Sequence, residues 1–158
     1  MKRIYMKNRV LLLILITQLL FACNATGPKF SGVETAQNNQ ARLYFYRPWQ
    51  LLDGAAAPTV QINGEDKFDI SNGGYQTLSL RPAETTITVK EGGVLSNWRA
   101  DELTITLPME ASKVYFVRLG AKVENVSGGS FISVSGLYSL SLVAEDFAVN
   151  ELRETKKN

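Results

Sequence analysis

The sequence contains no histidine among its 158 residues and only one cysteine, Cys23. Histidine is the commonest general base and the commonest metal ligand, so its absence argues against most catalytic and metal-binding chemistry. A single cysteine cannot form an internal disulfide, and the fold therefore depends on core packing alone. We predict neither a cofactor nor a metal site.

A true excess of positive charge is also missing. The chain carries 17 Lys+Arg and 15 Asp+Glu, but four of the cations lie in the first nine residues: Lys2, Arg3, Lys7 and Arg9. Cleavage after residue 22 leaves 158 − 22 = 136 residues, with 17 − 4 = 13 cations against 15 acids, a net charge of −2. The basic balance belongs to the N-terminal segment, and no nucleic-acid partner is predicted.

Residues 1–22 are organised like a secretory signal peptide. A basic start is followed by an apolar stretch from Val10 to Ala22, interrupted by Thr17 and Gln18. Basic, apolar and small residues in this order are typical of a cleaved leader, and the apolar stretch is shorter than the roughly 20 residues of a membrane-spanning helix. The alternative is an uncleaved N-terminal anchor helix with an incidental cysteine.

Leu20, Ala22 and Cys23 resemble the lipobox of bacterial lipoproteins, although Phe21 is bulkier than the residue usual at its position. The resemblance implies cleavage before Cys23, a thioether-linked diacylglycerol on its sulfur, and N-acylation, as by palmitate. Several acyl chains make membrane anchoring stable. Asn24, where such lipoproteins of the inner membrane tend to have aspartate, implies the outer membrane. We predict a membrane partner through this anchor, on the periplasmic face of the outer membrane.

The remainder divides into a polar segment and a β-rich domain. Residues 23–40 are rich in Asn, Gln and Gly and predict a flexible tether. Residues 41–158 form the predicted domain. Its clearest strand, Arg42–Arg47, is aromatic on both faces and ends at Pro48, which indicates an interior strand. Asn63-Gly64 is a strong hairpin signal.

Short alternating segments with turn signals between them continue to about Leu142, after which residues 144–155 change to a helical period. This pattern predicts an all-β fold, an antiparallel β-sandwich of about 7–8 strands, transthyretin-like or immunoglobulin-like. The short C-terminal helix is predicted to cover an open end or edge of the sandwich.

Three short segments resemble a known family: residues 41–48 (ARLYFYRP), 60–64 (VQING) and 72–75 (NGGY). Together they resemble bacterial lipoproteins of the family called domain of unknown function 2846. Residues 82–86 (PAETT) depart from the family's Pro-Gly-Lys-His-Thr segment and lack its glycine and histidine. The resemblance implies a β-sandwich and gives no activity, because the family has no assigned chemistry.

Aromatic residues beside arginine provide the candidate binding residues, because this composition is typical of binding hot spots. They lie in residues 46–49 and 98–99, and the candidates are Tyr46, Arg47, Trp49, Trp98 and Arg99. The alternative is structural: Tyr46 lies in the core, Arg47 pairs with an acid, and each tryptophan covers an end of the sandwich.

No catalytic constellation is present in the sequence. The acids at residues 65–69 and 101–102 lack the spacing of a calcium loop or a glycosidase pair, and no serine has a partner base. We therefore predict a non-enzymatic, lipid-anchored envelope protein that binds an unknown envelope protein or stabilises an assembly. The alternative is a module that binds glycan or peptidoglycan through Trp49 and Trp98, which requires both rings on one exposed surface. A hydrolase is the weakest hypothesis.

Overall fold

A computed structural model describes residues 24–93, 96, 98, 100–127 and 133–158. The predicted signal peptide, Cys23 and Arg99 lie outside the described residues. Within those residues there are nine strands and one helix: β1 (Ala41–Arg47), β2 (Thr59–Ile62), β3 (Glu65–Asp69), β4 (Gly74–Leu80), β5 (Ala83–Lys90), β6 (Leu103–Met109), β7 (Val114–Ser127), β8 (Ser133–Val143), α1 (Glu145–Leu152) and β9 (Lys156–Lys157).

The strands form two sheets, which confirms the predicted all-β sandwich. One sheet has the order β8-β7-β1-β4-β9 and the other has the order β3-β2-β5-β6. Two pairings, β1 with β7 and β4 with β9, are parallel, whereas the sequence indicated antiparallel strands. The parallel pair at β1 arises because the chain leaves this sheet after β4, passes through β5 and β6 of the other sheet, and returns as β7.

The aromatic strand β1 lies inside the five-stranded sheet, as predicted, and both of its faces are buried. Leu43 and Phe45 point into the core between the two sheets, where they pack with residues of β2, β5 and β7. Tyr44 and Tyr46 point to the opposite face. Because side chains alternate along a strand, a strand apolar at every position needs a second covering layer.

Helix α1 supplies part of that layer. Ala148 and Leu152 are fully buried and pack against Tyr44, Tyr46 and Phe116 on the outer face of the five-stranded sheet. The prediction that the helix covers an open end or edge is therefore wrong. The physical reason is that Tyr44 and Tyr46 form an apolar outer face on the five-stranded sheet, and burying this face removes it from water. No helix in the described part of the chain is long and apolar enough to cross a membrane.

The beginning of the predicted tether supplies the rest of the layer. The ring of Phe30 packs edge-on against Tyr44 and Tyr75, with centroid distances of 6.0 and 5.6 Å. The amide of Gly27 donates to the carbonyl of Lys157 (3.0 Å), and the amide of Lys157 donates to the carbonyl of Pro28 (2.8 Å). The first part of this segment therefore lies on the domain, because its apolar residues fill the face that α1 leaves open.

Candidate functional site

Arg47, the last residue of β1, closes one end of the core. It points between the two sheets and is fully buried. Pro48 ends the strand, so the following loop folds back over the guanidinium. Nη1 donates to the carbonyl oxygens of Ala56 (2.6 Å) and Ile70 (3.5 Å), and Nη2 donates to that of Asp53 (2.7 Å). We call the end of the sandwich where β1 ends and β4 begins the Arg47 end.

The partners of Arg47 are carbonyl oxygens rather than the carboxylate that the sequence suggested. Burial lowers its pKa to about 10, and this effect is partly offset by Tyr138 and Asp53. Since 10 is well above neutral pH, the guanidinium stays charged and stays bound to the carbonyls. Its Nε has no hydrogen-bond partner among the described residues.

Two aromatic rings complete the arrangement around Arg47. Its guanidinium lies 5.7 Å from the centroid of Trp98, close enough for a cation–π contact. The Trp98 ring packs against Tyr138 at a centroid distance of 4.4 Å. The Tyr138 hydroxyl donates to the carboxylate of Asp53. Burial and this hydrogen bond raise the pKa of Tyr138, so the phenol remains a donor.

A cleft opens beside these residues. Its volume is about 440 Å³, and its lining mixes apolar and acidic side chains: Leu52, Asp53, Ala100, Asp101, Leu103, Ser135, Gly136, Leu137 and Tyr138. Within the described ranges, no group of three His, Cys, Asp or Glu side chains could hold a metal ion. The lining offers hydrogen bonding and apolar contact, and it contains no paired nucleophile and base.

Tyr46 lies on the other side of the sheet and joins it to α1. Its hydroxyl donates to Oε2 of Glu151 (2.8 Å). Arg118 binds the same carboxylate through two hydrogen bonds of 2.7 and 2.9 Å. Burial, followed by the bond to Glu151, raises the pKa of Tyr46, and the same carboxylate raises the pKa of Arg118. Tyr46 is therefore a buried structural residue, as the structural interpretation of the sequence predicted, and not an exposed binding residue.

Trp49 is the exposed member of the candidate set. It is 66% exposed and Leu51 is 73% exposed. The loop that carries them is held by the buried Asn72, whose side chain accepts from the amide of Gln50 (2.9 Å) and donates to the carbonyl of Gln50 (2.9 Å). Gly73, at φ 65°, lies directly below Trp49. The two side chains are thus exposed on a loop with fixed backbone.

The candidate residues do not form one surface. Trp98 is only 3% exposed, so the two indole rings are not presented together. Arg47 and Trp98 do meet, although the sequence did not predict this contact. Asp53, Tyr138, Asn72 and Glu151 were not among the candidate residues predicted from the sequence. Asn72 carried a signal, since it begins an Asn-Gly turn, whereas nothing local distinguishes Tyr138 or Glu151.

A family model described as Protein of unknown function (DUF2846) matches residues 37–131. The matched region begins just before β1 and extends past β7, and it includes the loop of Trp49 and Arg47 itself. Strand β8 and helix α1 lie beyond it. No curated protein and no solved structure matches the chain.

Proposed function

The chain belongs to the DUF2846 family, and we propose that it is a lipid-anchored bacterial envelope protein whose non-enzymatic β-sandwich binds another envelope protein or stabilises an assembly. The observation that carries the proposal is the sequence of residues 20–23 after a basic and apolar leader. Asn24 already lies on the domain, paired with Asn72. A lipid on Cys23 would therefore hold the folded domain directly at a membrane.

Substitution Cys23→Ser tests the anchor. We expect an unprocessed precursor that retains residues 1–22 and carries no lipid, because the thioether requires the cysteine sulfur. The measurement is intact mass of the protein from the membrane fraction, together with incorporation of labelled palmitate. A mutant of mature size that still incorporates the label would refute the anchor.

The surface that best suits a protein partner is the hairpin of β7 and β8. Six large apolar side chains are exposed among the described residues, and three of them lie on this hairpin: Leu137 on the outer face of the sheet, and Val123 and Leu142 on its other face. Leu137 is 61% exposed, and β8 is the terminal strand of its sheet. A terminal strand presents unpaired backbone groups to a partner, and apolar side chains beside it add contact area.

A photoreactive amino acid at position 137 tests this surface in cells. We expect a discrete protein adduct from Leu137 and none from Thr104, an exposed control position on β6 in the other sheet. The adduct is detected as a shifted band and identified by mass spectrometry. Equal labelling at both positions contradicts a specific partner. The absence of any adduct, combined with co-sedimentation of the domain with purified peptidoglycan, would favour the glycan-binding alternative.

A further inference from the structure

The two most exposed apolar side chains of the Arg47 end lie close to the point where the described chain begins. Asn24 forms a parallel bridge with Asn72, and the amide of Ala25 donates to the carbonyl of Asn72 (3.3 Å). The side chain of the same Asn72 holds Gln50 by two hydrogen bonds of 2.9 Å. Gln50 lies between Trp49 and Leu51. A single residue, Asn72, thus connects the residue that follows Cys23, through its backbone, to the loop of exposed apolar residues, through its side chain.

We infer that Trp49 and Leu51 form a membrane-contact site, which enters the interfacial region of the same bilayer that holds the acyl chains of Cys23. This inference rests on the proposed lipid anchor. Because Asn24 is held on the domain, the anchor leaves no free linker that could carry this end away from the bilayer. The first layer that Trp49 and Leu51 meet is therefore lipid.

The chemistry of the two side chains fits the headgroup level of a membrane. Tryptophan is enriched there because its ring is apolar and its indole N–H still finds a hydrogen-bond acceptor. Leucine adds apolar area that gains from leaving water. The loop backbone is fixed by Asn72 and by the bonds of Arg47 to Asp53 and Ala56, so little conformational freedom is lost on insertion.

Two exposed lysines lie on backbone segments next to this site. The amide of Lys156 donates to the carbonyl of Gly73 (3.0 Å), and Lys156 forms a bridge with Lys29. Both lysines are exposed. Gly73 lies under Trp49, so these cations lie near the loop. Lysine beside an inserted aromatic residue is attracted to anionic headgroups.

The contact also sets the orientation of the domain. Arg47 pairs with Gly74 at the Arg47 end, and Ala41 pairs with Leu80 at the other end of the same two strands. Six steps along β1 at about 3.3 Å separate the ends by roughly 20 Å. The turn that follows Leu80, and the exposed Glu84 just beyond it, therefore point away from the bilayer.

Tryptophan quenching by brominated lipid tests the inference on the full lipidated protein. The protein is reconstituted into vesicles of phosphatidylethanolamine and phosphatidylglycerol with brominated or ordinary acyl chains. We expect emission in the brominated vesicles to fall by about half, since one of the two tryptophans sits at the headgroup level. Trp49→Phe leaves only Trp98, enclosed by Arg47 and Tyr138, and should remove most of the quenching.

A fluorophore on a cysteine introduced by Glu84→Cys supplies the distal control, because the thioether bond to diacylglycerol blocks the sulfur of Cys23. We expect no quenching of this label. Any one of three results overturns the inference. Brominated lipid leaves the tryptophan emission unchanged, Trp49→Phe leaves the quenching unchanged, or the label at position 84 is quenched as strongly as tryptophan. If the intact mass shows acyl groups on the protein in those cases, the anchor stands without the contact site. A mass without acyl groups overturns both.

Discussion

Replacement of Arg47 by methionine is expected to lower the free energy of unfolding by about 3–5 kcal/mol, because it removes two short hydrogen bonds from a charged donor, each worth about 1.5–3 kcal/mol. Methionine replaces the aliphatic part of the side chain but carries no donors. The carbonyl of Ala56 then loses the only donor that reaches it among the described residues. The carbonyl of Asp53 keeps its bond from the amide of Ala56 (2.9 Å). An unpaired carbonyl at a buried end of the core is the main source of the loss.

Arg47→Lys separates the contribution of the positive charge from that of the guanidinium geometry. Arg47 reaches Asp53 and Ala56 with two different nitrogens, and a single ammonium cannot reproduce that fork. We expect Arg47→Lys to retain charge and lose about 1–3 kcal/mol, between the wild type and Arg47→Met.

Urea unfolding of residues 24–158 at neutral pH provides both values. Arg81→Met is the matched control, because Arg81 is exposed in the turn between β4 and β5, and we expect a change within about 0.5 kcal/mol. If Arg47→Met loses less than about 1 kcal/mol, the cost of burying the guanidinium cancels its hydrogen bonds. In that case the loop carbonyls that Arg47 binds would be hydrogen-bonded to water in the variant.

Local pattern was sufficient to predict the strands and the sandwich. Arg42–Arg47 is aromatic on both faces, and it forms the interior strand β1. Asn63 and Gly64 have the positive φ values, 52° and 80°, that their hairpin turn requires. In these segments the residue type, the turn chemistry and the period agree, so no knowledge of distant residues was needed.

Contacts between distant segments could not be predicted in this way. The segment that contains Phe30 is polar overall and has no period, yet its one aromatic ring finds Tyr44 and Tyr75. Helix α1 is weakly amphipathic in sequence, and its cover of the outer face depends on the aromatic residues of β1 about a hundred residues earlier.

The candidate site was predicted only in part, because it too depends on contacts between distant segments. Arg47, Trp49 and Trp98 were identified from composition, but composition could not separate the exposed ring from the buried one. That difference is decided by partners far away in the sequence, because Tyr138 covers Trp98 whereas Trp49 lies over Gly73, which has no side chain. A residue type can suggest binding, and only the three-dimensional neighbours determine which face is free.

Leu152→Ala is expected to destabilise the domain by about 2–4 kcal/mol, since Leu152 is fully buried and a large-to-small change in the core leaves a cavity. Its side chain packs on the outer face of the five-stranded sheet with Tyr44, Tyr46 and Phe116. The measurement is again urea unfolding of residues 24–158. Phe147→Ala on the same helix is the control, with an expected loss below about 1 kcal/mol, because that larger side chain is half exposed.

The same substitution is expected to loosen the segment that leads to Cys23. The carbonyl of Leu152 accepts from both the amide (2.8 Å) and the hydroxyl (2.7 Å) of Thr155, which places β9 beside β4, and β9 in turn binds Gly27 and Pro28. We expect the amide of Gly27 to exchange faster with solvent in Leu152→Ala than in Phe147→Ala. Unchanged exchange at Gly27 would show that Phe30 and the backbone bonds to Lys157 hold the segment without the side chain of Leu152. Faster exchange would mean that the orientation of the domain at a membrane depends on the C-terminal helix, because the helix and the anchor segment together form the layer that covers the sheet.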